Sequence, residues 1–372
     1  LLNFAYENTA VPVEIPLKHK VVDPADAVIF NPFYIVPNLS FSFDEKVLIA
    51  PDESERMVNA TIKNYGEAFK GEVALQVPDG WNASPDKIPV SIADGGDVLV
   101  SFAVSRGKNA PNGIATFSVL KDGYGMGREV QQIDYPHIPM QVIIREAQLN
   151  LVPVPLERGG IEKIGYIEGP GDDVAKYLGA AGYDVTVLDE KQLKSVESLR
   201  EYQAIVTGIR AFNTREELSF ANEVLNKYVA EGGTWVVQYN TSRGLKTENI
   251  GPYPFEITRE RVTDENAEAR FINPAHQILN YPNKIVPSDF ENWVQERGLY
   301  FAAEWDSSFE PIISWNDPEE PPRNGGLIIA PHGKGHFIYT GISFFRELPA
   351  GVPGAYKLLS NIIASSAQNG AE

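Results

Sequence analysis

The chain contains no cysteine, and that one gap removes disulfides, thiolate chemistry and cysteine-based zinc sites together. Nor does any apolar run approach the roughly 18 residues that cross a bilayer as a helix, so membrane insertion is not expected. The sequence begins without Met and shows neither the basic nor the apolar region of a signal peptide. The expectation is a piece cut from a longer protein. Basic residues are in deficit, with 32 Lys and Arg against 50 Asp and Glu, for a formal net charge of −18. Residues 1–145 hold 18 acids and 12 bases, and residues 146–372 hold 32 and 20. Both halves are therefore acidic, which argues against nucleic acid and anionic membrane surfaces as partners.

What is present reads as two domains, since 372 residues exceed one ordinary core. Residues 1–36 are rich in Pro and β-branched residues, as in Val11-Pro12-Val13-Glu14-Ile15-Pro16, and suit an extended edge strand or linker. Residues 37–145 read as all-β. Val58, Ala60 and Ile62 alternate with polar residues, Val98, Val100, Phe102 and Val104 form a second apolar face, and Ala115, Phe117 and Val119 a third. Turn clusters at Asn64-Tyr65-Gly66 and Pro78-Asp79-Gly80 complete the pattern of an immunoglobulin-like sandwich.

After about residue 146 the pattern changes. Short apolar runs at Ile164–Ile167, Val185–Leu188, Ala204–Thr207 and Thr234–Gln238 alternate with helical segments from Val174 and from Thr214. Thr214 and Glu217 have capping-box spacing, and Gly232 supplies the stop. This alternation predicts a doubly wound α/β domain over 146–372, its parallel sheet covered on both faces, with an irregular insert at about 240–305. The strands Ile312–Trp315, Leu327–Ala330 and Phe337–Thr340 and a closing helix through Ala355, Leu358, Leu359, Ile362 and Ile363 follow it.

In such a sheet ligands bind past the carboxyl ends of the strands. The loops expected there carry Glu168, Arg210, Asn213, Tyr239, Asn240 and Arg243. Amides, a phenol and guanidinium groups suit a polyol or a carboxylate; alternatively, Asn213 and Asn240 satisfy loop backbone and Arg210 pairs with a nearby acid. Gly169-Pro170-Gly171-Asp172-Asp173 lacks the third glycine of a dinucleotide loop, and its two acids oppose a phosphate. In the insert, Trp293, Glu296 and Arg297 would share one side if the segment were helical. They make either a sugar-stacking platform or an anchor. The five histidines include His332 and His336 flanking Gly333-Lys334-Gly335, which reads as a turn pair; no metal-ligand spacing occurs. No G-x-S-x-G elbow is present.

Several phrases together resemble the C-terminal, non-catalytic region of long LmbE/PIG-L-type deacetylases of Bacteroidetes-like bacteria. They are Tyr135-Pro136-His137-Ile138-Pro139, Gly208–Thr214, Val236–Thr241, Gly251-Pro252-Tyr253-Pro254-Phe255, Trp293–Gly298 and Leu348–Tyr356. The resemblance covers most of 37–366. Residues 37–145 are similar to the sandwich beside α-galactosidase catalytic domains, and 160–366 to ThuA and class I glutamine amidotransferases. It implies an exported protein (periplasmic, cell-surface or secreted) whose zinc, H-P-D-D motif and deacetylase activity lie in an N-terminal domain of the parent chain. Val22-Asp23-Pro24-Ala25-Asp26 is not that motif, so the resemblance implies no cofactor in this chain. It also implies that Tyr239 stands where an active amidotransferase has its Cys. A phenol is a poor nucleophile without an adjacent base, so the pocket is expected to bind a carbohydrate and not to attack it. A ThuA-like sugar-modifying enzyme using Glu168, Arg210, Tyr239 and Glu296, or a purely structural module, are the rival expectations.

Overall fold

The structure, a computed structural model, describes residues 2–6, 9–15, 17–23, 27–121, 125–135 and 137–367. Of the features above, Pro16, Pro24, Ala25, Asp26 and Pro136 lie outside these residues. Strand outweighs helix by 37% to 15%, so the chain is β-rich. It is also multidomain. Leu1–Lys46, Glu55–Gly107 and Gly113–Asn150 cluster as one compact unit, and Val47–Ser54, Lys108–Asn112 and Leu151–Glu372 as another.

In the first unit the Pro-rich segment forms two antiparallel strand pairs, Leu2–Tyr6 with Thr9–Val13 and Lys18–Asp23 with Ala27–Pro32. Strands then build two antiparallel sheets. One has Leu39–Phe43, Arg56–Asn64, Asp97–Arg106 and Trp81–Ser84 side by side in that order. In the other, Phe69–Gln76 lies between Ile88–Ile92 and Gly113–Val119. Period-two alternation is the cause: Val58, Ala60 and Ile62 face one side and sit opposite Phe102, Val100 and Val98 across the ladder. Rings from the first sheet meet the second at Phe117, whose centroid lies 5.0 Å from Phe41, 4.7 Å from Phe43 and 6.1 Å from Phe102. Each such buried ring contributes about 2–3 kcal/mol. At one turn, Asn64 closes the loop on itself, its Oδ1 accepting from the Gly66 amide at 3.0 Å.

The second unit centres on a seven-stranded sheet. Its strands are β1 (Lys163–Ile167), β2 (Asp184–Val187), β3 (Ala204–Thr207), β4 (Thr234–Gln238), β5 (Glu310–Pro311), β6 (Leu327–His332) and β7 (Gly335–Thr340), in the order β2-β1-β3-β4-β7-β6-β5. The first five neighbours run parallel. Beyond these five the sheet turns antiparallel: β6 and β7 form a tight hairpin through Gly333-Lys334, and β5 pairs antiparallel to β6. A two-residue connection cannot make the crossover that parallel pairing needs.

Continuous apolar strands follow from burial on both faces. Tyr166, Val206, Val236 and Ile338 join one core with helices α1 (Val174–Ala180), α4 (Phe344–Ala350) and α5 (Pro353–Ile363). Their sequence neighbours Ile167, Ile205, Trp235, Val237, Phe337 and Tyr339 join a second core with α3 (Leu218–Ala230). The predicted helix from Thr214 begins instead at Leu218, after a separate one-turn helix α2 (Ala211–Thr214). No capping box forms: the Thr214 hydroxyl donates back to the Arg210 carbonyl, and Arg215 holds the Glu217 carboxylate at 2.6 Å. Gly232 follows the end of α3 with φ of 124°, as expected of a stop.

Short ladders close the insert on itself, Glu256–Ile257 with Ala302–Ala303 and Arg261–Val262 with Gly298–Leu299. Backbone meets backbone here. A Cβ at Gly298 would lie 2.4 Å from the Gly341 carbonyl oxygen, and one at Gly325 only 1.8 Å from that of Ala302.

Candidate functional site

The loops leaving the carboxyl ends of β1, β3, β4 and β7 come together at one edge of the second unit's sheet. Arg210, in the loop after β3, adopts a left-handed conformation with φ of 56°. Its amide donates to the Tyr239 carbonyl at 2.8 Å, and its carbonyl accepts from the Asn213 amide at 3.0 Å. Asn240 accepts from the Phe212 amide at 2.9 Å and donates to the Gln238 carbonyl at 3.0 Å. Asn213 accepts from the Thr241 amide and donates to the carbonyls of Thr241 and Arg243. Both asparagines are thus spent on loop backbone, the plainer of their two expected roles, and they fix the β3 and β4 loops against each other.

Tyr239, the first residue past β4, is the centre of the edge. Its ring stacks on Tyr300 with centroids 5.7 Å apart and planes 9° from parallel, and Phe345 lies 5.3 Å away at 50°. Burial pushes the Tyr239 phenol above its ordinary value, against the opposing pull of Arg210 and Arg346 and with the push of Glu296. No hydrogen bond to its hydroxyl forms among the described residues. Glu296 is buried and held by Arg346 at 2.8 Å, while Arg346 also donates to Gln295 at 2.6 Å. Three of the non-glycine residues with positive φ border this cluster: Arg210, Gln295 at 71° and Tyr300 at 54°. Such strain persists only where surrounding contacts over-determine it, and it gathers at functional sites.

Nearby, the loops after β1 and β3 enclose a buried polar network. Asp172 accepts the Tyr166 hydroxyl at 2.5 Å and the Ile209 amide at 3.0 Å, and Gln238 donates to the Tyr166 oxygen at 3.3 Å. A Cβ at position 208 would fall 2.8 Å from the Gly169 amide nitrogen and 2.5 Å from the Asp172 carboxylate, so glycine is favoured there. Burial raises both Asp172 and Tyr166 above their ordinary values. The Gln238 Oε1, Ser343 Oγ and Glu347 Oε1 atoms are buried without a hydrogen-bond partner among the described residues. Burial also pushes the Glu347 carboxyl up to about 8; its other oxygen accepts the Val294 amide at 2.9 Å.

The structure therefore brings Arg210, Tyr239 and Glu296 together, with Asn213 and Asn240 as loop braces. Glu168 is exposed at the same edge; its carbonyl accepts from Arg215. Arg243 is exposed in the β4 loop. Trp293 and Arg297 stand apart. The segment is not helical: a 3-10 turn over Pro287–Phe290 gives way to turns with positive φ at Asn292 and Gln295, so the shared helical side expected of Trp293, Glu296 and Arg297 does not exist. Trp293 is buried, with its indole donating to the Asp289 carbonyl at 2.9 Å. Arg297 donates to the Ala267 and Phe290 carbonyls, its guanidinium lying 5.3 Å from the Trp293 ring, and burial lowers it to about 10. That geometry is an anchor. His332 and His336 turn to different partners, Tyr253 and Ser366. No group of three or more His, Asp or Glu placed to hold a metal ion occurs among the described residues.

Phe345 and Arg346 were not singled out by sequence. The rule that pointed to the β3 and β4 loops points equally to the segment after β7, where both lie in the first turn of α4. Tyr300 follows closely on Trp293 in the insert, yet nothing in its spacing marks it as the ring that turns to Tyr239.

No protein-family model matches the chain, and no curated protein matches it. Solved structures with partial likeness include a protein described as a GMP synthase subunit from Thermoplasma acidophilum, 12% identical, with a TM-score of 0.37 over 57% of this chain and 98% of that one. A β-galactosidase from Rahnella sp. R3 is 14% identical, with a TM-score of 0.34 over 57% of this chain and 32% of that one. The α-2-macroglobulin of E. coli is 14% identical, with a TM-score of 0.23 over 34% of this chain and 7% of that one. The chain spans about a third of the galactosidase and a small fraction of the macroglobulin. Likenesses this low assign neither fold nor function.

Proposed function

We propose that this chain is the accessory region of an exported LmbE/PIG-L-type N-acetyl-sugar deacetylase and that its second unit binds or positions a glycan without catalysis. On this reading the first unit is an immunoglobulin-like sandwich serving as spacer or docking module. The second is a doubly wound, amidotransferase-like α/β domain that has lost its nucleophile. Zinc and the hydrolytic chemistry belong to an N-terminal deacetylase domain of the same parent chain.

One observation carries the reading: the residue past β4 is a buried tyrosine with no base hydrogen-bonded to it among the described residues. Its phenol is raised by burial and has no hydrogen-bond partner among the described residues that could take its proton. Its ring instead joins Tyr300 and Phe345 in an aromatic surface flanked by Arg210, Arg346 and Glu296. Aromatic rings beside polar groups suit the apolar faces and hydroxyls of a sugar. An acid–base enzyme is less well supported, because Glu296 is committed to Arg346 and Glu168 is exposed.

Two measurements test the proposal. A glycan array and thermal-shift screen on the full chain, including N-acetylated, free amino and acidic sugars, is expected to give specific hits; silence across all of them sinks the binding claim. Covalent labelling of Tyr239 by an electrophilic sugar analogue would overturn the non-catalytic claim.

A further inference from the structure

We infer that the glycan recognised at this edge carries a single carboxylate, as a hexuronic acid does, and that Arg210 is the residue that selects it. The inference rests on the carbohydrate reading above and narrows its ligand class.

Arg210 is the unspent cation of the cluster. Arg346 is committed to Glu296 and Gln295, whereas the Arg210 side chain is exposed and makes no hydrogen bond or ion pair among the described residues. Its backbone is the opposite of free. The amide and carbonyl are both bonded, to the Tyr239 carbonyl and from the Asn213 amide, and the residue is held at φ of 56°. That conformation costs an L-residue roughly 1–2 kcal/mol that glycine would not lose. The loop therefore holds a strained arginine whose head group is unpaired among the described residues, placed close enough to act on the Tyr239 phenol.

A guanidinium is a planar fork that matches a carboxylate with two parallel hydrogen bonds. The charge count favours one negative charge over two. Around Tyr239 the acting charges are Arg210 and Arg346 against Glu296, and Arg210 is the cation there without an ion-pair partner among the described residues. Exposed Glu168 and half-buried Asp172 lie on the β1 side of the same edge; Asp172 accepts the Ile209 amide, next to Arg210. They would oppose a phosphate dianion more strongly than a carboxylate. The chain's overall charge of −18 makes a local cation necessary for any anionic ligand, and screening beyond about 8 Å at physiological salt lets one suffice.

The test uses the full chain and titrates oligosaccharides ending in a hexuronic acid, their carboxyl-reduced counterparts, and matched sugar phosphates. The expected result is binding of the acid form roughly tenfold tighter than the reduced form, as one charge-assisted pair supplies. In Arg210→Gln that preference should collapse while the melting temperature holds. Equal affinity for acid and reduced forms would overturn the inference yet leave the carbohydrate reading standing. A phosphate binding as tightly as the carboxylate would also overturn it, as would an unchanged preference in Arg210→Gln. Failure of every sugar to bind would remove both readings.

Discussion

Two clusters in the second unit contain the same kinds of residue and behave differently. One joins Trp293, Phe290 and Arg297; the other joins Tyr239, Tyr300, Phe345 and Arg210. In the first, the indole and guanidinium donate to the carbonyls of Asp289, Ala267 and Phe290. In the second, the Tyr239 hydroxyl and the Arg210 guanidinium have no hydrogen-bond partner among the described residues. Residue type does not separate an anchor from a binding surface. What separates them is whether polar ends are already satisfied inside the protein.

Substitutions can break or sharpen this contrast. The largest effect is expected at Trp293→Ala, which removes a fully packed indole and its hydrogen bond; loss of about 4 kcal/mol of stability in denaturant unfolding is expected, with no ligand effect separable from unfolding. Next comes Glu347, whose carboxyl is raised by burial from 4.5 to about 8. The unfolded chain releases this proton first, so the stability from the neutral carboxyl is full below about pH 4.5 and is lost as pH rises through 8. Glu347→Gln should flatten that decline and stabilise the protein at pH 8 by on the order of 3 kcal/mol. An unchanged pH profile in thermal melts would disprove it. Arg210→Gly should do the reverse of an anchor mutation, raising stability by ~1 kcal/mol as strain is relieved while weakening the acidic ligand. Smallest is Tyr239→Phe, which deletes a hydroxyl with no hydrogen-bond partner among the described residues and should shift stability by less than about 0.5 kcal/mol. A shift of several times that size would reveal a structural role for the phenol and erase the contrast.

Much of the framework was legible in the sequence. The alternation at Val58, Ala60 and Ile62 and the apolar runs of β1, β3 and β4 report burial directly, because strand period fixes which side chain meets a core. The antiparallel β6–β7 edge was hidden, since a Gly-Lys-Gly turn signals a hairpin without saying that it completes the same sheet. At the site, position past a strand end found Arg210, Tyr239 and Asn240. It could not tell that Asn240 faces inward to Phe212, because that depends on a contact 28 residues away in sequence. Trp293 and Arg297 stay between platform and anchor in the sequence for a related reason: their shared side depended on a helix, whereas the chain turns at Asn292 and Gln295 with positive φ and both side chains are buried. Arg346 escaped notice because its partner Glu296 lies 50 residues earlier, a distance no local pattern spans.

The glycine seam at Gly298 and Gly325 has an engineering consequence. Main chain presses on main chain there, so the insert's course is set by atoms that every residue shares. Exposed or half-buried side chains it presents at the edge, Tyr300 among them, can then be randomised with little effect on its path. The edge would serve as a replaceable reading head on a fixed mount, suited to selecting new sugar specificities from a library confined to a few positions.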